Sequence, residues 1–226
     1  MSFSKQNGLS ARLPKQMLNS RKKDVSHLGK LVYLNPDVVE AGKNLLGLSL
    51  FTKIDGCLTG GVIIETESYA GIEDKASHAY GGRLTKRTEV MYRQGGIAYV
   101  YLCYGIHALL NVVTGAEGVP HAVLIRAIHP THGTDVMLER RKKKKLDHSL
   151  VSGPGALTAA LGVTTLFNGQ SLDSESLWIA DFGIQVKKFE TTPRIGIDYA
   201  EEWATRPYRF VARELYCENN DSTSMM

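Results

Sequence analysis

Apolar residues are spaced in two ways along this chain. In "PDVVEAGKNLL" they recur at helical intervals, with Asn35 placed as N-cap, Pro36 at the first helical position and Gly47 as the stop, which predicts a helix over 36–46. Elsewhere short apolar runs and alternation dominate. "LSLFTK" and "CLTGGVIIETESY" flank the turn signal "IDG" and predict a hairpin. "AYVYL" and "ALLNVV", parted by "CYGIH", are two more β-like runs. "AVLIRAI" is a further strand, followed by a helical pattern through "TDVMLERRKKKK". Ser152 and Pro154 open a short helix, "GPGALTAAL", which Gly162 ends, and "SLWIADFG" and "YRFVARE" read as later strands. The strands arrive as hairpins more than in β-α-β alternation, so the expected class is α+β with an antiparallel sheet.

No Pro-, Gly- or Ser-rich linker and no internal repeat divides the chain, so one domain is expected over 26–216. Residues 1–25 lack periodicity and are expected to form a mobile basic arm, and 217–226 a frayed tail. At 226 residues, 43% hydrophobic and 22% charged, the composition is that of an ordinary soluble protein with one sizeable core. The net charge of +4 does not announce a nucleic-acid binder, but its distribution says more. Lys5, Arg12, Lys15, Arg21, Lys22 and Lys23 precede the first acid, and "RRKKKK" fills 140–145. Such runs attract polyanions, DNA or RNA above all, or are simply a solvated helix end and a tail. Cys57, Cys103 and Cys217 are odd in number and far apart, which argues against a disulfide framework and fits an intracellular protein. The longest apolar stretch, "IAYVYLCYGIHALLNVV", is interrupted by polar residues and too short for a bilayer span. There is no dinucleotide or P-loop fingerprint and no H-E-x-x-H, so no metal or organic cofactor is expected.

Candidate chemistry gathers in "IIETESYAGIEDKASHAYGG", residues 63–82. In an extended segment Glu65, Glu67 and Tyr69 share one face while Ile64, Thr66 and Ser68 take the other. Two glutamates roughly 6–7 Å apart repel, and burial of one fits it for acid or base work. A strand edge in water would hold them equally well. "EDKASH" places Asp74 and His78 four apart, a possible pair on one helical turn. Tyr99 and Tyr101 share a face of the next hairpin, and Gly105 permits a tight tip that leaves Tyr104 presented outward. Such an aromatic either folds back onto the sheet or serves as a wedge between base pairs. Stacking on tyrosine faces is worth roughly 1–3 kcal/mol per base, comparable to the cost of unstacking one.

"IIETESYAGIEDKASHAYGGR", "AYVYLCYGIHALLNVV", "AVLIRAI" and "SGPGAL" resemble the alkyladenine (3-methyladenine) DNA glycosylase family, in order and unbroken over about residues 30–212. The resemblance implies a curved, open-barrel-like, mainly antiparallel sheet with flanking helices and a protruding hairpin. It implies a monofunctional hydrolase, acting as a monomer, that flips damaged purines out of duplex DNA and cuts the N-glycosidic bond. Glu67 matches the general base that activates water, and Arg126 the arginine that positions that carboxylate, its water and a phosphate. Tyr69, His78, Tyr99 and Tyr101 match the surroundings of the flipped base, and Asn111 the side chain that conflicts with the exocyclic amine of normal guanine. Tyr104, with Ile106 beside it, matches the hairpin tip that fills the gap in the stack. Arg83, Thr85 and Arg87 match phosphate contacts, and Ser152 and Gly153 stand at a helix N-terminus suited to another. Two departures are visible. Ala156 stands where many members have a lysine, and His129 precedes Pro130 where an acid is expected.

Rival readings use the same residues. A glycoside hydrolase would employ Glu65 and Glu67 together, at roughly the 6.5–9.5 Å of an inverting pair. A lesion-binding protein would grip damaged duplex without cutting. A metal-dependent nuclease would need Glu67, Asp74 and His78 around one ion.

Overall fold

The computed structural model describes residues 10–11 and 30–216 of the chain. Nine strands among the described residues form one sheet: β1 (Ser10–Ala11), β2 (Ser49–Ile54), β3 (Cys57–Tyr69), β4 (Ala98–Cys103), β5 (His107–Thr114), β6 (His121–His132), β7 (Leu177–Ala180), β8 (Gln185–Thr192) and β9 (Arg209–Tyr216). The order runs β1-β9-β3-β6-β5-β4, with β2 and then β7 continuing from β3, and β8 flanking β9. Every pairing is antiparallel except that of β1 with β9, so the sheet is that of an α+β fold, and it does not close into a barrel. Of the arm expected at 1–25, only Ser10–Ala11 is described, paired with Glu214 and Leu215. The tail at 217–226 and Cys217 lie outside the described residues.

Among the described residues three α-helices cover the sheet: α1 (Val38–Asn44), α2 (Thr134–Arg140) and α3 (Pro154–Leu161). Helix α1 begins two residues later than the pattern suggested. Asp37, not Asn35, is its cap, accepting from the N–H groups of Val39 and Glu40, while Asn35 accepts from Asp37. It packs against β3 closely enough for Thr66 Oγ1 to donate to the Gly42 carbonyl at 2.9 Å and Ser68 Oγ to that of Val38 at 2.7 Å. A Cβ on Gly42 would fall 2.2 Å from Ser68 Oγ, so only glycine allows this approach. Helix α2 ends at Arg140 instead of running through the lysines, because Lys142 takes a positive φ of 52° and Arg140 turns inward to the Ala160 carbonyl and Thr59 hydroxyl. Helix α3 is capped by Gly153, one residue beyond Ser152, and ends at Gly162 as expected.

Apolar side chains of the helices and one sheet face form the main core, with Leu50, Ile63, Leu110, Ile125, Met137, Leu157 and Phe210 at its centre. A second cluster, around Phe51, Val62, Ile64 and Trp178, has Phe51 stacked on Trp178 at 5.4 Å. Strand β8 escaped the pattern reading because "QVKKFETT" is a largely exposed edge strand without an apolar face; its lysines suit an edge that should not pair further.

Two irregularities shape the centre of the sheet. Ile63 faces Ile128 and Glu65 faces Ala127, so Ile64 is an extra residue on β3; Thr66 then faces Ile125, which leaves Arg126 as an extra residue on β6. Bulges re-aim side chains and bend the strand. Ile64 accordingly joins the Phe51–Trp178 cluster and not the helix-facing side with Thr66 and Ser68, which corrects the simple alternation expected of β3.

Candidate active site

Register alone assembles much of the site. Glu67 lies opposite Leu124, Leu124 opposite Asn111, and Asn111 opposite Tyr99, a row that crosses β3, β6, β5 and β4. Residues directly opposite across strands project to the same face, so this row places Glu67, Asn111 and Tyr99 together. Arg126, freed from the ladder by its bulge, reaches both glutamates. Its Nε donates to Glu65 at 2.8 Å, and its Nη1 lies 3.3 Å from Glu67 Oε1.

Glu67 is fully buried at 0% exposure. Its oxygens accept from the Tyr69 hydroxyl at 2.9 Å and the Ile195 N–H at 2.8 Å, with Arg126 as the charge partner. All three partners line a cavity of about 420 Å³, within the range of sites that enclose small organic ligands. Glu67 itself does not line it, so the carboxylate sits directly beneath the wall. Glu65 turns elsewhere: Arg126 and Arg209 both donate to its Oε1, at 2.8 and 2.7 Å, and it lines a separate, smaller cleft. The two glutamates therefore share an arginine, not a substrate cleft.

Tyr69, His78, Tyr99, Tyr101 and Asn111 all line the cavity, as do Arg87, Tyr104 and Arg126. His78 meets Tyr101 edge-on with centroids 4.5 Å apart, and Tyr99 tilts against Tyr101 at 5.4 Å. Asn111 is anchored by donating Nδ2 to the Tyr99 carbonyl at 3.1 Å. Burial raises the phenols of Tyr69, Tyr99 and Tyr101 above their ordinary pKa, with the Glu67 charge adding to the effect at Tyr69, so all three stay protonated. Burial, reinforced by the charges of Arg87 and Arg83, pushes His78 down to about 4, so the ring is neutral at neutral pH.

Around the mouth, the β4–β5 hairpin closes through Tyr104 at φ 50° and Gly105 at φ 71°, the left-handed pair of a type I′ turn. That conformation leaves Tyr104 92% and Ile106 74% exposed. Arg83 and Thr85 lie in a loop tied by reciprocal Thr85–Thr88 hydrogen bonds and by Thr88 Oγ1 donating to the Arg83 carbonyl; neither side chain lines the cavity. Ser152 is exposed, pairs through its backbone with Ala127 and lines the Glu65 cleft, Gly153 has φ 92°, and only from Pro154 does α3 reach the cavity wall.

Asp74 and His78 do not pair with each other. Asp74 is buried against Arg194, with Arg194 Nη1 and Nη2 on its two oxygens, and it accepts from the N–H groups of Ala70 and Ala76 in the loop that delivers His78. Both ring nitrogens of His78 are also engaged. Glu67, Asp74 and His78 thus do not converge, and among the described residues no cluster of three His, Cys, Asp or Glu is placed to hold a metal ion.

The segment 193–199 was not singled out from sequence, and it supplies one wall. Arg194 donates to the Ser68 carbonyl at 2.8 Å and stacks on Tyr69 at 4.6 Å; Ile195 then holds Glu67 through its backbone, and Ile195, Gly196, Ile197 and Tyr199 line the cavity. The signal is weak, because a backbone N–H donor leaves no trace in residue type. Nothing but the clustering of Pro193, Arg194 and Gly196 marked the stretch.

A carboxylate paired with an arginine thus lies beneath a cavity walled by tyrosine and histidine rings, whose faces and edges suit a flat, ring-shaped group. The sequence profile of the methylpurine-DNA glycosylases matches residues 32–215, and the chain belongs to that family of DNA-repair enzymes. Proteins that carry the name 3-methyladenine DNA glycosylase are similar to it along most of their length. That of Chlamydia felis is 53% identical over 79% of this chain and 92% of its own, and that of Desulfitobacterium hafniense 43% identical over 82% and 95%. One from Bacillus cereus is 45% identical over 77% and 90%. No described helix is long and apolar enough to cross a membrane.

Proposed function

We propose that the protein is a monofunctional DNA glycosylase that turns an alkylated purine out of duplex DNA into the aromatic cavity and hydrolyses its N-glycosidic bond with a water activated by Glu67. The observation that carries this reading is the junction at Glu67. Among the described residues every partner of the carboxylate (Tyr69, Arg126 and the Ile195 N–H) is also a wall of the cavity, so a water admitted between them is held where a bound purine meets its sugar. Entry of the nucleotide shifts one of these partners and opens the carboxylate, which has no surface of its own in the free protein.

Roles follow from placement. Tyr69, His78, Tyr99 and Tyr101 supply faces and edges for the base, and Asn111 stands on the cavity wall as the side chain that rejects guanine's amine. Tyr104 and Ile106, exposed at a rigid tip, fill the space the base leaves. Arg83, Thr85, Arg87 and the start of α3 at Ser152 and Gly153 are the phosphate contacts in this reading, supported by Arg87 and by Pro154, next to Gly153, which line the cavity. A cationic lesion such as 3-methyladenine leaves readily and chiefly needs the nucleophile, to which general-base help contributes roughly 10²–10⁴-fold. His78 is neutral and both its nitrogens are engaged, so it is not a proton donor to the leaving base. Among the described residues no lysine lines the cavity, which supports hydrolysis without a Schiff base and hence without strand cleavage.

Base release from alkylated duplex tests the reading. Wild-type protein is expected to release 3-methyladenine, and Glu67→Gln to bind the same duplex while cutting about 10²–10⁴-fold more slowly. A Glu67→Gln protein that keeps most of its activity removes Glu67 from this role. Glu65→Gln is the control against a carboxylate pair: equal loss there would favour the sugar-hydrolase chemistry.

A further inference from the structure

The guanidinium of Arg87, matched from sequence to a phosphate contact, lies at the cavity mouth with Nη2 3.1 Å from His78 Nε2 and Cζ 4.7 Å from the Tyr101 ring centre. A guanidinium only donates and does not lose its proton. Nε2 of His78 must therefore accept, and the one ring proton sits on Nδ1, 2.8 Å from the Tyr99 hydroxyl that receives it. Protonating Nε2 would set two donors against each other and two like charges in contact. Among the described residues the other charged group facing the ring is Arg83; the remaining neighbours, Tyr99 and Tyr101, are phenols that burial keeps neutral.

Resting on the glycosylase reading above, we propose that Arg87 is a selectivity-determining residue: by donating to His78 Nε2 it locks the ring in its neutral Nδ1–H form, so the cavity admits cationic purines as readily at mildly acidic as at neutral pH. A purine alkylated on a ring nitrogen carries positive charge, and an imidazolium on the cavity wall would repel it while leaving a neutral purine little affected. Arg87 is exposed at the cavity edge, where solvent and salt weaken its charge, whereas a charge on the part-buried His78 would add a second, less screened cation to the wall. The guanidinium has five donors, so holding His78 leaves others for a phosphate.

Two measurements on the full chain test this. Nitrogen NMR of histidine-labelled, DNA-free protein reads the tautomer of His78 between about pH 5 and 8. Single-turnover release of 3-methyladenine and of hypoxanthine reads selectivity between a cationic and a neutral lesion. Wild type is expected to hold Nδ1–H throughout. In Arg87→Gln, His78 takes up a proton within that window, and the cationic-to-neutral release ratio, divided by the wild-type ratio at the same pH, falls about three- to fivefold toward the acid end. Arg87→Lys, which keeps a charge and a donor, restores the wild-type ratio. An Nε2–H tautomer in wild type, or no titration of His78 in Arg87→Gln, overturns the lock. A level ratio in an active Arg87→Gln enzyme overturns the selectivity alone, whereas no base release by wild type at any pH overturns the glycosylase reading and the selectivity with it.

Discussion

Asp74 and Arg194 form an ion pair with no exposed side-chain surface, at the point where the loop that carries His78 meets the segment that carries Ile195. Burying two charges is costly, and the pair offsets that cost through further hydrogen bonds, two N–H donors on Asp74 and the Ser68 and Trp203 carbonyls on the Arg194 Nη atoms, which leave the buried Nε of Arg194 without a partner among the described residues. The pair acts on the site through position, since it fixes both the ring that walls the cavity and the N–H that holds Glu67. Arg194→Met leaves the Asp74 carboxylate buried without its charge partner and is expected to destabilise the fold by about 3–5 kcal/mol in urea unfolding. The double variant Asp74→Asn, Arg194→Met should recover part of that loss, whereas simple additivity would mean that the pair is not coupled.

At the scale of an element, the β4–β5 hairpin is built to present and not to bury. Its strands fix Tyr99, Tyr101 and Asn111 on the cavity by register, while its left-handed tip at Tyr104 and Gly105 lifts one aromatic clear of the sheet. The alternation in "AYVYL" and "ALLNVV" made this hairpin readable, and the glycine at the tip made its turn readable. Tyr104→Ala is expected to slow base release from duplex roughly ten- to hundredfold, the worth of one stacked aromatic. Release from single strands should change much less, because no gap in a helix needs filling there; equal losses on both substrates would contradict the wedge.

For the whole molecule, charge and protonation set the working conditions. The excess of basic residues is modest at +4, so duplex binding should come from the arginines around the mouth and from phosphate contacts nearby. Affinity for alkylated duplex is expected to fall steeply and log-linearly with salt, by counterion release, and a flat dependence would remove the phosphate contacts. Stability has its own pH limit. His78, His121 and His129 are all held below their ordinary pKa of 6.5 by burial, most clearly His78 at about 4. The unfolded chain therefore takes up protons that the folded one refuses. The contribution is fully present above about pH 6.5 and is lost as the pH falls from there toward about 4. The urea midpoint should drop over that window, and a midpoint constant from neutral pH to pH 5 would refute the assignment.

Sequence by itself determined the elements with strong local signals and the residue types of the site. The hairpin turns, the stop at Gly162 and the carboxylate, aromatic and arginine positions of "IIETESY", "AYVYL" and "AVLIRAI" are all written in spacing or motif. Tertiary structure decided what spacing cannot encode. The paired bulges at Ile64 and Arg126 arise from how two strands meet, and they alone turn Arg126 toward both glutamates. Glu67 was named over Glu65 by motif resemblance alone, since two residues of one type two positions apart look alike in spacing; only the structure shows Glu67 buried beside the walls of the aromatic cavity and Glu65 lining a separate cleft. Asp74 found Arg194 across 120 positions of chain instead of its near neighbour His78, because burial rewards a bidentate arginine that no local pattern announces.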